Sequence, residues 1–375
     1  MKKIWLSPPH MSGKEVLYTT DAIKSNWIAP LGPYVNKMEH IISEKIGVED
    51  TALLSSGTAA IHLALKLLGV VENDIVLCQS FTFSGSVNPI LYEKAIPVFI
   101  DSEPETWNIC PKLLENAIKY YVNKNIKPKA IIVVHLYGMP AKMDEIIALG
   151  YKYSIPIIED AAEAIGSKYK NKYCGGFTNF GIYSFNGNKI ITTSGGGALL
   201  SNNKEAITKA KFLASQAKDD LPHYEHSELG YNYRLSNISA AIGVAQLEVL
   251  DQRVQARRNN FNYYKESLKH LNSIIFQEES DDFYSNRWLT AIVIKNHPNS
   301  NEKIRTALEK LNIESRPLWK PMHLQPIFSK YNYFGNKISE NFFKNGLCLP
   351  SGSNLKKHEI ELVVKTIINT LQSNY

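Results

Sequence analysis

Three segments of the 375-residue chain hold side chains that could do chemistry together. In SFNGNK, a strand-like run over 182–186 leads to Asn186, Gly187 and Asn188, which read as a turn. Lys189 follows, with no neighbouring lysine and with apolar stretches on both sides. A lysine held in such surroundings can serve as an amine nucleophile, whereas an isolated lysine is ordinarily a solvated surface residue. In IPIIEDAAEAIGS (155–167), Glu159 and Asp160 stand where a strand ends. Ligands of open α/β sheets bind beyond the carboxyl ends of strands. An acid there can be a metal ligand, a base, the partner of a cation or a helix N-cap. No His/Asp/Glu group with metal-ligand spacing accompanies it, so no metal is expected. In SSGTAAIH (55–62), small residues open a helix. Its first N–H groups and partial positive charge suit a phosphate, Gly57 permits close approach and Thr58 adds a hydroxyl donor. Taken alone, the same residues describe an ordinary capped helix.

The elements around these segments alternate. Residues 57–68 carry apolar positions at helical spacing, and Gly69 is a stop signal. Short β-branched runs at 75–78, 96–100, 130–138 and 155–160 are apolar on both faces, as buried parallel strands are. Helical segments such as 143–153 lie between them. Strand–helix alternation predicts an α/β sheet covered on both faces. A charged helix over 247–271 then leads into a shorter α+β region. The expected division is a large domain over 1–250 and a small one over 251–375.

Composition narrows the classes further. With 44% hydrophobic residues the chain can bury a sizeable core. The net charge of +6 is spread along the chain, not gathered in a patch, so no nucleic-acid partner is expected. No apolar run reaches the ~20 residues of a membrane span, and the start, MKKIWLSPPHMSGKE, does not read as a secretory signal. Four separated cysteines form no Cys-x-x-Cys pair and fit reduced thiols in a cytoplasmic protein.

In order along the chain, SPPHM, SNWIAPLGP, SSGTAAIHLAL, SFTF, HLYG, EDAAEAIGS, SFNGNK, GYNYRLSN, SRPLWKPMH and LCLPSG resemble the sugar aminotransferases of the DegT/StrS group. That group is a branch of the fold-type I pyridoxal-phosphate (PLP) enzymes. The resemblance covers nearly the whole chain. It implies a mainly parallel seven-stranded sheet domain with a smaller C-terminal α+β domain, PLP as cofactor, and a homodimer.

Roles follow from it residue by residue. Lys189 would bond covalently to PLP and move protons, and Asp160 would contact the pyridine nitrogen, where a carboxylate keeps the ring protonated and electron-withdrawing. Gly57, Thr58 and Ser184 would hold the phosphate, and Phe83 would stack on the ring. Asn232 would reach the partner subunit's phosphate. Glu163 takes the position facing the cofactor's 3-oxygen, where many relatives carry Gln; a carboxylate beside a phenolate implies a shared proton. TTSGGG (192–197) departs from the common TTGEGG. Lys189 itself separates the chain from sugar dehydratases of the same fold, which carry His there.

Within the group the chain resembles transaminases that make UDP-4-amino-4,6-dideoxy-N-acetylglucosamine, in the bacillosamine branch of glycan biosynthesis. The implied donor is L-glutamate and the acceptor a UDP-linked 4-keto-6-deoxy-N-acetylhexosamine. Asn26, Ile28, Arg287, Arg316, Lys320 and His323 are the candidates to contact that nucleotide sugar. Trp288 and Trp319 are either packed against it or core aromatics, and His323 is equally readable as structural. The alternatives are a GDP-4-keto-6-deoxymannose (perosamine-type) or dTDP-sugar acceptor. From other classes come a PLP-binding regulatory protein without turnover, and a nicotinamide enzyme. The last needs a G-x-G-x-x-G turn after the first strand, which is absent.

Overall fold

The computed structural model describes residues 2–295 and 299–372. Its central sheet is built from β1 (Asp50–Leu54), β2 (Ile75–Gln79), β3 (Ile96–Ile100), β4 (Ala130–Val134), β5 (Ile157–Asp160), β6 (Phe180–Ser184), β7 (Gly197–Ser201) and β8 (Tyr333–Phe334). Across the sheet they stand β1-β7-β6-β5-β4-β2-β3-β8. All neighbours are parallel except at β7, which runs against both β1 and β6.

The continuous apolar strands are explained by burial on both faces. In β2, Val76 and Cys78 join one core cluster while Ile75 and Leu77 join another, and β4 divides Ala130 and Ile132 from Ile131 and Val133 in the same way. Successive side chains point to opposite sides, so each side needs its own layer of helices. The helix Gly57–Leu67 is one of these; Gly69, in the left-handed region at φ 66°, ends it as expected.

The sheet has eight strands where seven were expected. The extra one, β8, is a two-residue strand from the C-terminal third that pairs with β3, Tyr333 beside Phe99 and Phe334 beside Ile100. Two residues carry too little pattern to be read from sequence. The helix expected over 247–271 is Leu250–Leu268, preceded by a separate helix, Asn237–Leu247.

Beyond Leu250 lies a four-stranded antiparallel sheet, ordered Ile274–Phe276, Thr290–Ile294, Gly346–Leu349, Arg316–Pro317. Its core includes Ile292, Leu308, Leu347 and Ile367, and also Ile4 from the other end of the chain. Ile4 bridges to Ile313, and the Leu6 N–H donates to Glu314 Oε2 at 3.0 Å. The chain thus crosses the expected division twice, with Ile4 in the core of the C-terminal part and residues 333–334 on the large sheet. Among the described residues no helix is long and apolar enough to cross a membrane.

Candidate active site

The carboxyl ends of β1, β5 and β6 and the start of β7 converge on a cavity of about 930 Å³. Ser56, Gly57, Thr58, Asp160, Ser184 and Lys189 all line it. Five of these were named from the sequence, and residues 57 to 189 meet here because parallel strands deliver their ends to one edge.

At one end stands the N-terminus of the helix Gly57–Leu67. Ser56 caps it, its hydroxyl accepting the Ala59 N–H at 3.0 Å. The first N–H groups have no acceptor within the helix. Gly57 lies flat against Ser184: a Cβ there would sit 3.2 Å from Ser184 Cβ. Behind it, a Cβ on Gly197 would run into the backbone of Ser56 and Gly57, which accounts for the last glycine of the 195–197 run.

In the middle, Asp160 is buried. Its Oδ2 accepts the Ser86 hydroxyl at 2.6 Å and its Oδ1 the Ala162 N–H at 3.1 Å. Burial raises its pKa, against the lowering effects of Ser86, Ala162 and Lys189. Ser86 in turn meets the Thr82 hydroxyl at 2.8 Å. Neither contact has a sequence signal, because a serine three positions beyond the SFTF motif is ordinary loop composition.

Lys189 Nζ is 3.4 Å from Glu163 Oε1 and 4.1 Å from the centre of the Trp288 ring. Glu163 Oε2 accepts the Tyr137 N–H at 2.7 Å. Burial pushes the Glu163 carboxyl up to about 7, with Lys189 and the Tyr137 N–H opposing. Phe83, 60% exposed, and Trp319 form the outer wall with ring centres 5.7 Å apart. Of the two tryptophans, Trp288 sits beneath the amine and Trp319 beside the mouth.

The substrate candidates separate. Arg316 lines the cavity, its exposed guanidinium held by Glu314 Oε1 at 2.7 Å. Arg287 does not reach it: the side chain is buried, pairs with Glu279 Oε2 at 2.8 Å and lies over the Phe261 ring at 3.6 Å. That ion pair and stacking withdraw it from the expected phosphate contact. His323 is also outside, with Nδ1 2.7 Å from Ser80 Oγ and its ring stacked on Tyr333 at 3.7 Å, which is the structural alternative. Lys320, half-buried, is not part of the cavity wall. Asn26, Ile28 and Asn232 are exposed and lie outside the cavity of their own chain.

His135, Glu159 and Cys174 form a buried cluster beside β5. The Ala141 N–H donates to His135 Nδ1 at 2.9 Å, so Nε2 carries the proton and donates to Glu159 Oε1 at 2.9 Å. Glu159 also accepts the Gly175 and Phe177 N–H groups. Both its oxygens thus accept from the protein, and the cluster braces the strand that carries Asp160.

The donor set fits PLP: a helix N-terminus and hydroxyls for a phosphate, a buried acid of raised proton affinity for a pyridine nitrogen, and an amine for an aldehyde. Comparison with known proteins agrees. Residues 9–368 match the model of the DegT/DnrJ/EryC1/StrS aminotransferase family. EpsN of Bacillus subtilis (strain 168), assigned as a pyridoxal phosphate-dependent aminotransferase, is 54% identical over 98% of this chain and 96% of its own. GDP-perosamine synthase of Escherichia coli O157:H7 is 37% identical over 98% of each. The crystal structure of a DegT DnrJ EryC1 StrS aminotransferase from Brucella abortus superposes with a TM-score of 0.89 at 28% identity, covering 95% of both chains. The chain therefore belongs to the DegT/DnrJ/EryC1/StrS family and is a PLP-dependent sugar aminotransferase.

Proposed function

We propose that this enzyme moves the amino group of L-glutamate to C4 of a UDP-linked 4-keto-6-deoxy-N-acetylhexosamine, giving UDP-4-amino-4,6-dideoxy-N-acetylglucosamine. The observation that carries the reaction is the meeting of Lys189, Asp160 and the Gly57–Leu67 helix N-terminus in one cavity of about 930 Å³. When bound, PLP supplies the aldehyde that receives the amino group and a ring that withdraws electrons from the reacting carbon. Gly57, Thr58 and Ser184 hold its phosphate. Asp160 holds a proton against the ring nitrogen. Lys189 Nζ takes a proton from one reacting carbon and returns it to another, as base and then acid. Glu163, beside that amine, is the nearest group to exchange the proton with it.

The nucleotide reading rests on resemblance in SNWIAPLGP, SNRWLT and SRPLWKPMH. Within this chain Arg316 is the cation left to meet a diphosphate, through its planar fork. A GDP-linked 4-keto-6-deoxymannose is the second reading, favoured by the GDP-perosamine synthase relative. We place the enzyme in the cytoplasm, in keeping with four free cysteines, and as a homodimer whose Asn232 completes the partner's site.

Purified protein with PLP, L-glutamate and a panel of UDP-, GDP- and dTDP-linked 4-keto sugars, read by mass spectrometry, tests this. Highest kcat/KM on the UDP substrate is the expected result. A preference for the GDP sugar beyond about tenfold, ~1.4 kcal/mol of transition-state binding, overturns the nucleotide. Borohydride reduction that fixes the cofactor to any peptide other than that of Lys189 overturns the assignment of the lysine.

A further inference from the structure

Behind the cavity, on the helix Leu250–Leu268, lies a cation that the reaction as described does not use. Arg257 is 1% exposed. Its partners are uncharged: Nη1 donates to the Trp288 carbonyl at 2.6 Å and the Ser351 carbonyl at 3.3 Å, and Nη2 to Ser7 Oγ at 3.0 Å. Its Nε has no partner, and the neighbouring Arg253 repels it. A buried guanidinium among neutral acceptors is a costly way to fill a core. An apolar side chain would pack there without that cost, so what Arg257 holds is informative.

It holds two residues that converge on one atom. Ser7 donates its hydroxyl proton to the Asn188 carbonyl at 2.7 Å, and Trp288 donates its indole N–H to the same oxygen at 2.8 Å. The Asn188 carbonyl belongs to the peptide that leads into Lys189, whose own N–H closes the turn on the Asn186 carbonyl at 3.0 Å. Trp288 also puts its ring 4.1 Å from Lys189 Nζ. A hydroxyl that accepts from a cation is a stronger donor in turn, so the charge on Arg257 reaches the Asn188 oxygen through Ser7. These contacts join the N-terminal segment, the helix Leu250–Leu268 and the strand at 290 to the turn between β6 and β7.

We propose that Arg257 is a positioning residue for Lys189: through Ser7 and Trp288 it clamps the Asn188 carbonyl and so fixes where the lysine amine points. The inference rests on Lys189 being the residue that holds PLP and moves its protons. The amine must serve two carbons in turn, and misplacement by about 1 Å costs such a step up to about a hundredfold. A turn of Asn, Gly and Asn does not supply that rigidity by itself.

Ser7→Ala and Trp288→Phe each remove one donor, the second keeping an aromatic face under the amine. Two readouts report on the lysine. One is the pH midpoint of the visible absorbance of the lysine-bound cofactor. The other is the single-turnover rate of amino transfer from L-glutamate. Each variant is expected to shift the midpoint by about half a pH unit or more and to slow that rate about tenfold. The melting temperature of the cofactor-free protein is read alongside and falls, because Ser7→Ala unpairs a buried guanidinium N–H and Trp288→Phe leaves buried space; a purely structural loss would lower it without moving the midpoint. Adding Ser7→Ala to Arg257→Met causes no further loss, and Arg257→Lys recovers part of it. If Arg257→Met does not fold, the two single variants decide. A wild-type midpoint and rate in both overturns the clamp, as do fully additive losses in the double variant. Borohydride labelling in parallel separates the failures. Label on Lys189 with unaffected variants overturns the clamp alone, whereas label on another lysine overturns both the clamp and the assignment of Lys189.

Discussion

Glu163 and Lys189 face each other 3.4 Å apart on the cavity wall, and the buried carboxyl of the pair is pushed up to about 7. A glutamine at 163 would leave the lysine with a neutral neighbour at every pH. The glutamate makes the site's charge depend on pH.

That dependence has a sign. Between the ordinary value of 4.5 and about 7, folded cofactor-free protein keeps a proton on Glu163 that the unfolded chain has released. The stability this contributes is complete below about 4.5 and is lost as pH rises through about 7. Glu163→Gln escapes the loss. Denaturant titrations of both cofactor-free proteins should show the variant gaining on wild type from pH 5 to pH 8, by on the order of 2 kcal/mol. An equal difference at both pH values would mean that Glu163 is ionised throughout.

Asp160→Asn should leave the fold intact, since the amide oxygen can still accept the Ala162 N–H while the Ser86 hydroxyl, able to accept as well as donate, turns to take the amide N–H. Turnover should fall by about a hundredfold or more, because a neutral amide does not hold the ring nitrogen's proton. Circular dichroism and steady-state rates check the two halves. A near-normal rate would reduce Asp160 to a turn-capping residue.

Asn232 is exposed and outside its own cavity, so its proposed service to a partner can be tested by mixing. Lys189→Ala and Asn232→Ala should each be nearly inactive alone. Mixed subunits of the two contain one site with both residues intact, and about a quarter of wild-type activity should return after random exchange. No recovery despite demonstrated exchange would confine Asn232 to a role within its own chain.

The runs at 96–100 and 155–160 stood out in the sequence because β-branched residues without alternation leave few other readings; the second strand begins two residues later, at Ile157. The run at 130–138 was overread: β4 ends at Val134, since Tyr137 adopts φ 55° and turns its N–H onto Glu163. Lys189, Asp160 and Gly57 were legible because their residue types are unusual where they stand. Ser7 and Ser86 were not, because a serine hydroxyl gains its meaning from partners 181 and 74 positions away. Arg287 misled for the opposite reason. A guanidinium suits a phosphate, but nothing local to SNRWLT shows that Glu279 and Phe261 already enclose it.

The two-residue strand β8 also bears on how the molecule can be made and cut. Until Tyr333 and Phe334 leave the ribosome, β3 is a bare, apolar edge: Val98, Phe99 and Ile100 are all fully buried in the finished protein. Uncovered edges of this kind recruit other chains. A nascent or truncated chain ending near residue 330 would therefore be sticky, though it contains every residue proposed to hold PLP. The catalytic half of this protein does not become safe to release until its last fifth has been synthesised.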